Sequence, residues 1–397
     1  MDLDKLLAQY KDLYGRIRLA DPNSKSDNER ILEFFENNTM ESSGLTLRYT
    51  RSPDFFAFLR NRSDLFFVFV YEDISNQIKG VGSISIRDGF IDGVRTKVGY
   101  LGDLRVQTNR RLALTYRKLY GDLIYYSKEI FEFQGCHRFL TVVINGNEKA
   151  ENALLHRNQY RISKDRSRFE YRKVVDYSMV NLILKYPEPF KRKGTPSLFS
   201  VKNLSQSEWS TLELFWAEEN MKIPFGFDSS ELARRLNSWP DLERRNFWAA
   251  FSETGEILAC FAIWDPKKSK RIIVEKLAWT MKVKLQAFKV LGKPSMKVGK
   301  HLEVLYLSHL VFASHLSLEM KNEVFSKMLE EINQAGVLKR CSVLSFCEFQ
   351  SLSLSQALKG WLHEKVGMSL FQVVLAESSP SVSSSSYQSV GFEMALV

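Results

Sequence analysis

Basic residues cluster where an apolar segment of the chain runs into a helical pattern. Residues 98–120 read VGYLGDLRVQTNRRLALTYRKLY, with Arg110 and Arg111 at the start of the helical part and Arg117 and Lys118 further along it. The first turn of a helix exposes backbone N–H groups and the positive end of the helix dipole, so it favours anions. Two cations at this end oppose the dipole, which indicates an anion nearby. The segment therefore predicts a phosphate or pyrophosphate site; the alternative is a helix whose exposed start is simply basic.

Asp103 is a candidate general base on the strand that leads into this turn. A carboxylate that is held beside a reacting group can accept a proton from it. The alternative is a solvated or salt-bridged aspartate that pairs with Arg105. Both interpretations stay open on the sequence.

The spacing of apolar residues predicts the elements around these side chains. Residues 64–73 and 80–93 are apolar and β-branched runs bounded by turn residues, which predicts an antiparallel meander. A strand over 99–106, a helix over 110–133 and a strand over 138–144 follow. This order predicts a parallel crossover.

Capping residues predict two helices before the meander. Ser26 and Glu29 form a capping box that opens a helix through Phe35, and Ser52 before Pro53 predicts a second helix start. These helices would cover one face of the sheet that follows.

The chain is long enough for two domains, with 397 residues of which 44% are apolar. Residues 186–197, YPEPFKRKGTPS, combine three prolines, a glycine and a charge cluster, as exposed linkers do. We therefore predict an N-terminal domain over residues 1–190, a linker over 191–198 and a C-terminal domain over 199–397.

A short repeat supports an internal duplication. The segment YLGDL at residues 100–104 is echoed by YLSHL at residues 306–310, an offset of 206 residues from 100 to 306. In the second copy a helix over 316–334 and an apolar strand over 342–347 follow, in the order seen in the first. The shared order of elements makes duplication the better interpretation.

Composition narrows the class of partner. The net charge of +10 favours anionic partners without choosing among them. Four scattered cysteines and six histidines show no recurrent ligand spacing, so we expect no metal. Apolar runs fall short of the ~20 residues of a membrane-spanning helix, and the first residues do not resemble a secretory leader. We expect a cytoplasmic protein without a membrane partner.

The element order resembles a tandem pair of GNAT-type (GCN5-related) N-acyltransferases. In that superfamily a strand leads into the turn Val-x-Pro-x-x-Arg-Gly-x-Gly-x-Gly, whose amides hold the pyrophosphate of acyl-CoA. In this chain Val106 takes the valine place, Thr108 the proline, Arg111 the arginine, and Leu112, Leu114 and Tyr116 the glycines. The loop is thus degenerate, because side chains stand where glycines let the backbone approach the phosphates.

The resemblance implies a set of site residues. The cofactor-binding set is Leu104, Arg105, Val106, Asn109, Arg110, Arg111, Leu112, Ala113 and Asn147. The family's later helix pattern, Asn-x-x-Ala-x-x-x-Tyr, is matched by Asn147 and Ala150, but Leu154 occupies the place of its tyrosine. Asp103 would act as general base, and Tyr160, or His156, would replace the missing tyrosine.

The resemblance implies an α+β fold of two tandem GNAT-like domains, each a mixed, mostly antiparallel twisted sheet flanked by helices. The implied function is an N-acyltransferase that transfers directly from acetyl-CoA or another acyl-CoA to an unidentified small-molecule or peptide amine. The second half looks like that of bacterial tandem proteins in the superfamily. It would be a degenerate copy that binds no CoA, because residues 309–320 contain no arginine or glycine.

Two alternatives stay open. The missing glycines and tyrosine would fit a non-catalytic binding or scaffold protein. The basic charge is compatible with tandem relatives that transfer amino acids from aminoacyl-tRNA, which would make nucleic acid a partner. Against this last alternative, the chain shows no long inserted helical arm. The sequence does not give the oligomeric state.

Overall fold

The computed structural model describes residues 1–36, 39–42, 45–107, 109–148, 151, 169–186, 199–278, 297–375 and 389–397. The strands in these ranges are β1 (Lys11–Asp12), β2 (Gly15–Leu19), β3 (Thr39–Ser42), β4 (Leu45–Thr50), β5 (Leu65–Asp73), β6 (Ile78–Ile91), β7 (Val94–Val106), β8 (Arg138–Ile144), β9 (Phe169–Lys185), β10 (Phe199–Asn203), β11 (Phe247–Ser252), β12 (Ile257–Trp264), β13 (Arg271–Leu277), β14 (Val304–Phe312), β15 (Val343–Phe349) and β16 (Trp361–Leu375). The α-helices are α1 (Leu3–Leu7), α2 (Lys25–Glu36), α3 (Ala57–Arg62), α4 (Arg110–Tyr125), α5 (Trp209–Met221), α6 (Ser229–Ser238) and α7 (Leu318–Gln334).

Thirteen of the described strands form one continuous sheet. Its order is β1-β2-β5-β6-β7-β8-β16-β9-β15-β14-β12-β11-β10, and a second sheet has the order β13-β4-β3. Among the described pairs, β7 with β8 and β14 with β15 are parallel, and the other neighbours are antiparallel. The expected mixed, mostly antiparallel sheet flanked by helices is confirmed.

The two halves of the chain share the centre of this sheet. Strand β9, from the N-terminal half, pairs with β15 and with β16. Strand β16, from the C-terminal half, lies between β9 and β8. The hydrogen-bonded ladder therefore runs from one half into the other without a break. The proposed linker at 191–198 lies outside the described residues, and the division into two domains stays a prediction.

The alternation of side chains along β5 places different helices on the two faces of the sheet. Phe69 and Tyr71 pack in a buried cluster with α4, while Val68 and Val70 pack with α2 and α3. Helix α4 comes close to the sheet because β6 has glycines at the contact. A Cβ atom at Gly80 would clash with the Tyr116 ring.

None of the described helices is both long enough and apolar enough to span a membrane.

Candidate active site

Strands β7 and β8 separate beyond three shared positions. Both strands are described along their whole length, and they pair only between Val98–Tyr100 and Arg138–Leu140. Strand β7 then continues to Val106 and β8 to Ile144. At the point of separation the Thr141 hydroxyl donates a hydrogen bond of 3.0 Å to the Leu101 carbonyl oxygen. A V-shaped gap therefore opens in the sheet, on the side where α4 begins.

A β-bulge centred on Asp103 lies along this gap. Asp103 has a φ of 59°, and the register between β6 and β7 shifts between Val81 and Ser83. The same feature recurs at His309, which has a φ of 56° beside a register shift between Cys260 and Ala262. Asp103 and His309 are 206 residues apart, the offset of the sequence repeat.

The second half also repeats the separation of strands. Strands β14 and β15, described along their whole length, pair in parallel only between Val304–Tyr306 and Val343–Ser345. Here the bulge amide is occupied, because the backbone N–H of His309 donates to the Glu393 carboxylate at 3.0 Å. The second half thus repeats the backbone geometry of the first half, the bulge and the separating strands, more closely than it repeats the side chains.

Asp103 lies buried in a cluster of cations. Its side chain is 6% exposed and forms ion pairs with Arg51 and, at 3.5 Å, with Arg62. The Ser83 hydroxyl donates to its other oxygen at 2.7 Å. Burial opposes ionisation, but the two guanidinium groups and these hydrogen bonds hold the pKa of Asp103 well below its ordinary range. The carboxylate therefore stays ionised and is a weak proton acceptor.

The sequence-based pairing of Asp103 with Arg105 is replaced by these contacts. Arg105 donates a hydrogen bond of 2.6 Å to the Phe35 carbonyl oxygen. Its guanidinium carbon lies 3.4 Å from the centre of the Phe35 ring. Asp103 lies in the bulge of β7, whereas Arg105 lies in the paired strand beyond it. Arg105 therefore packs against α2, and Asp103 is bound by residues from elsewhere in the chain.

Lys270 belongs to the same cluster and was missed at the sequence level. Its ammonium group donates to the Val397 oxygen at 2.7 Å and lies 4.9 Å from the centre of the Phe58 ring. Burial, together with the charges of Arg51 and Arg62, lowers the pKa of Lys270 to about 7. The run KKSKR around it reads as a solvated charge cluster, so nothing in the sequence singled it out.

Replacing Lys270 with methionine is expected to raise stability at pH 7. The pKa of Lys270 is about 7 in the folded protein, against an ordinary value of 10.5. Between pH 7 and pH 10.5 the unfolded chain therefore binds more protons than the folded chain, and the stability of the wild type rises with pH. Methionine does not titrate, so its advantage should shrink above pH 7 by up to about 1.4 kcal/mol per pH unit. Urea unfolding from about pH 7 to about pH 8.5 measures this, with Lys268→Met as the exposed control. An advantage that stays constant with pH would contradict the burial of a titrating amine.

The start of α4 is already capped by its own side chain. The Asn109 side-chain oxygen accepts from the backbone N–H groups of Arg111, at 2.9 Å, and Leu112, at 3.4 Å. These two amides were expected to hold a pyrophosphate. Asparagine is among the most favoured N-cap residues, and it satisfies the donors that glycines would leave open. An anion could use these amides only after Asn109 moves away.

The other residues expected in this turn divide between internal contacts and solvent. The Arg111 guanidinium donates to the Tyr71 hydroxyl at 2.9 Å and lies over the Tyr14 ring. Leu112 packs in the core. Arg110 and Ala113 are exposed. The Arg111 side chain is itself 43% exposed, so both arginines of this turn reach solvent, and Arg111 is held in place by Tyr71 and Tyr14.

The remaining predicted site residues lie along or beyond the gap. Leu104 is exposed and Val106 is half-buried on β7. Asn147 follows β8 in a turn, where its backbone N–H donates to the Ile144 carbonyl oxygen at 3.1 Å. Five positions of the predicted motifs lie outside the described residues: Thr108, Ala150, Leu154, His156 and Tyr160.

Depressions flank the gap on both faces of the sheet. On the α4 face lies an open depression of about 410 Å³ with both apolar and charged lining. Its lining residues come from the end of β8 and the residues that follow it, from β9 and from β16: Val143, Asn145, Glu151, Tyr171, Lys173, Asp176, Ser369 and Phe371. On the opposite face a cavity of about 40 Å³ lies behind Tyr100, at the point where β7 and β8 separate. Two molecules could therefore approach the gap from opposite faces. Among the described residues, no three His, Cys, Asp or Glu side chains come together as a metal site.

This combination of a mostly antiparallel sheet, flanking helices and a parallel pair that separates into a V is a GNAT-type fold. Solved structures with the same fold include Saccharomyces cerevisiae N-myristoyltransferase with bound myristoyl-CoA, at a TM-score of 0.55 and 10% identity over 91% of this chain and 83% of that chain. The same enzyme with bound myristoyl-CoA and inhibitors has a TM-score of 0.56 and 10% sequence identity, over 91% of this chain and 80% of that chain.

A further structure with this fold is a GCN5-related glucosamine N-acetyltransferase region of a fungal multi-domain GH3 β-N-acetylglucosaminidase. It gives a TM-score of 0.57 and 11% identity over 91% of this chain and 38% of that chain. No protein-family model matches the chain, and no curated protein matches it in sequence. At such identities the likeness establishes the fold alone.

Proposed function

We propose that the protein is an acyl-CoA-dependent N-acyltransferase made of two tandem GNAT-like units, residues 1–190 and 199–397. The observation that carries this proposal is the separation of β7 and β8 beyond Tyr100 and Leu140. Unpaired strand edges inside a sheet leave backbone donors and acceptors that need partners, and an extended pantetheine arm supplies them. The bound myristoyl-CoA in the neighbours with this fold supports this choice of ligand.

The proposed acyl-CoA site uses the edge of β7 and the start of α4. Backbone groups around Leu104 and Val106 would pair with the pantetheine arm. The turn from Asn109 to Ala113 would bind the pyrophosphate, with the exposed Arg110 adding a charge-assisted contact. The acyl chain would lie in the depression beside β8, and its length stays open between acetyl and longer chains.

The proposed reaction is direct transfer. The amine nitrogen attacks the thioester carbonyl carbon, the C–S bond breaks, and the nitrogen proton leaves as the thiolate of CoA takes one up. The ionised Asp103 would stabilise positive charge on the attacking nitrogen. Its low pKa favours this electrostatic role over final acceptance of the proton, which water or Lys270 would perform.

The decisive experiment measures binding of acetyl-CoA, octanoyl-CoA and myristoyl-CoA to the full chain. Calorimetry and thermal unfolding should both detect at least one of them, because a ligand at a hundred times its dissociation constant stabilises by about 2.7 kcal/mol. Asn109→Ala should remove about 1 kcal/mol of stability and yet bind acyl-CoA more tightly than the wild type, because the amides of Arg111 and Leu112 become free.

Ser317→Ala provides the matched control for Asn109→Ala. Ser317 is the N-cap of α7 in the second half, and its hydroxyl accepts from the Met320 amide at 3.2 Å. Ser317→Ala should lower the free energy of unfolding by a similar amount to Asn109→Ala and leave the affinity for acyl-CoA unchanged. Equal effects of the two variants on affinity would contradict a site at the start of α4.

A second candidate is a non-catalytic protein with this fold. It is favoured by the Asn109 side chain that occupies the expected phosphate donors. The same titrations separate the two, because a non-catalytic protein would show no acyl-CoA binding by calorimetry and no change in melting temperature.

A further inference from the structure

The cavity on the face opposite α4 contains buried donors that lack acceptors. Its volume is about 40 Å³, and about 10–15 Å³ suffices for one water, so it can hold a group the size of a carboxylate. The residues that carry the argument are Arg62, Ser85, Arg87, Tyr100, Arg235 and Glu393. They come from both halves of the chain and lie beside the proposed point of acyl transfer.

Arg235 is the most unusual of these residues. Its side chain is 0% exposed and lies over the Phe227 ring, at 3.9 Å, and the Trp239 ring, at 5.1 Å. None of its three guanidinium nitrogens makes a hydrogen bond to a described protein atom. The nearest carboxylates, Glu231 at 3.6 Å and Glu393 at 3.5 Å, are beyond the roughly 2.7–2.9 Å of a charge-assisted hydrogen bond.

Two further donors around the cavity are unmet. Arg62 donates from Nε and Nη2 to the Leu396 carbonyl oxygen, whereas Nη1 lies 3.5 Å from the Asp103 carboxylate and makes no hydrogen bond to a described atom. The Ser85 hydroxyl likewise makes none. Leaving such groups buried and unsatisfied is costly, so a ligand with several acceptor atoms would be stabilised here.

The charge around the cavity is also unbalanced. Three guanidinium groups line it, those of Arg62, Arg87 and Arg235, with one carboxylate, that of Glu393. Outside the lining, Asp103 pairs with Arg62 and Glu231 with Arg235, but each of these carboxylates is shared with a second cation, Arg51 and Arg234 respectively. Arg87 donates to the carbonyl oxygens of Phe225 and Gly391, so it adds charge without a carboxylate partner. Glu393 accepts from the backbone N–H groups of His309 and Ala395, and its carboxylate lies 3.5 Å from Nη1 of Arg235, an ion pair without a hydrogen bond. Water would satisfy the donors but not the charge.

We propose that this cavity binds a carboxylate group of the acceptor, so that the acceptors are amino acids or other amines that carry a carboxylate. Arg235 and Arg62 would donate to the two carboxylate oxygens, and Ser85 would add one hydrogen bond. The inference rests on the proposed acyltransferase function, because it concerns the acceptor side of the same gap. The chemistry also excludes simple alkylamines and amino acid amides as good acceptors.

Two measurements on the full chain test this inference. The first is binding of acetate, with acetamide as the uncharged control, by calorimetry and thermal unfolding without acyl-CoA. The second is acetyl transfer from acetyl-CoA to matched pairs of an amino acid and its amide, followed by mass spectrometry. We expect acetate and not acetamide to bind, and the acid to exceed its amide by about tenfold to a hundredfold in kcat/KM.

Variants identify the cavity as the source of these effects. Ser85→Val fills part of the cavity and removes an unsatisfied hydroxyl from a strand, so it should fold well and lose acetate binding about tenfold or more. Arg235→Gln should lose acetate binding more completely than Ser85→Val does. Arg234→Gln removes the same charge from the next residue of α6, whose guanidinium lies outside the cavity and donates to the carbonyl oxygens of Asn61 and Arg62. It should bind acetate as the wild type does.

The outcomes separate this inference from the function on which it rests. Acetate binding that Ser85→Val removes, in a protein that binds no acyl-CoA, would support the carboxylate site and overturn the acyltransferase proposal. Acyl transfer with equal use of acids and amides would support the acyltransferase and overturn the carboxylate site. If acetate does not bind the wild type, the cavity holds water only and the inference is wrong.

Discussion

Replacing Asp103 with alanine should lower the free energy of unfolding by about 3–5 kcal/mol, because it leaves buried cations without their carboxylate. Arg51 and Arg62 both pair with Asp103, and the Lys270 amine is close enough to respond to the same charges. Urea denaturation at neutral pH measures the loss. Ser83→Ala, which removes one hydrogen bond to the same carboxylate and no charge, should cost only about 1 kcal/mol.

Asp103→Asn separates the charge from the shape of this side chain. Asparagine tolerates the positive φ at this position, so the bulge should persist while the charge is lost. The pKa of Asp103 is lowered in the folded protein. Its stabilisation is therefore present above the ordinary aspartate value of about 3.9 and is lost as the pH falls through the lower, folded value. The stability gap between wild type and Asp103→Asn should narrow below about pH 4, and equal stability at pH 7 would contradict the buried ion pairs.

Elements set by local pattern were predictable from the sequence. The helix expected from Ser26 to Phe35 is α2 (Lys25–Glu36), and the crossover from β7 through α4 to β8 is parallel as expected. Helix α4 ends at Tyr125, whereas the apolar pattern predicted a helix through residue 133. The prediction counted Ile130 and Phe131 on the apolar face of this helix. Ile130 is a core residue that precedes a short 3-10 helix, whereas Phe131 begins that 3-10 helix and is 86% exposed.

The helix expected at Ser52 begins later than predicted. Helix α3 runs over Ala57–Arg62, and Asp54 bonds to the Phe56 amide in the turn that precedes it. The Ser-Pro pair thus marks a turn and not a helix cap. The Ser-Pro sequence is compatible with a turn and with a helix start. The turn is formed here, and it places Phe55 and Phe56 in the core.

The candidate site was less predictable because its partners come from distant parts of the chain. Asp103 and Arg110 could be picked out by residue type. The arginines that bind Asp103, at 51 and 62, lie on a loop and on α3, and Arg235 comes from the other half of the chain. No periodicity encodes such contacts, since they depend on which elements pack together after folding. The sequence did not predict the exchange of β9 and β16 between the two halves at the centre of the sheet, for the same reason.

This exchange makes the two halves depend on each other for folding. In residues 1–190 alone, β8 would expose the edge that β16 covers between Phe139 and Ile144, and β9 would lose both its neighbours. Exposed strand edges with apolar side chains aggregate. We therefore expect residues 1–190 and 199–397 to be insoluble when each is expressed alone, and to form an equimolar soluble complex when expressed together.

A protease site introduced within residues 191–198 gives the matched control for this expectation. Cleavage after folding leaves every described strand pair in place, so the nicked protein should stay assembled in gel filtration and keep cooperative unfolding. Halves that are mixed while unfolded in urea should form the complex only slowly when the urea is removed, because the long β9–β16 ladder must form between chains. If residues 1–190 alone are monomeric and unfold cooperatively, each half closes its own sheet, and the shared ladder is not needed for folding.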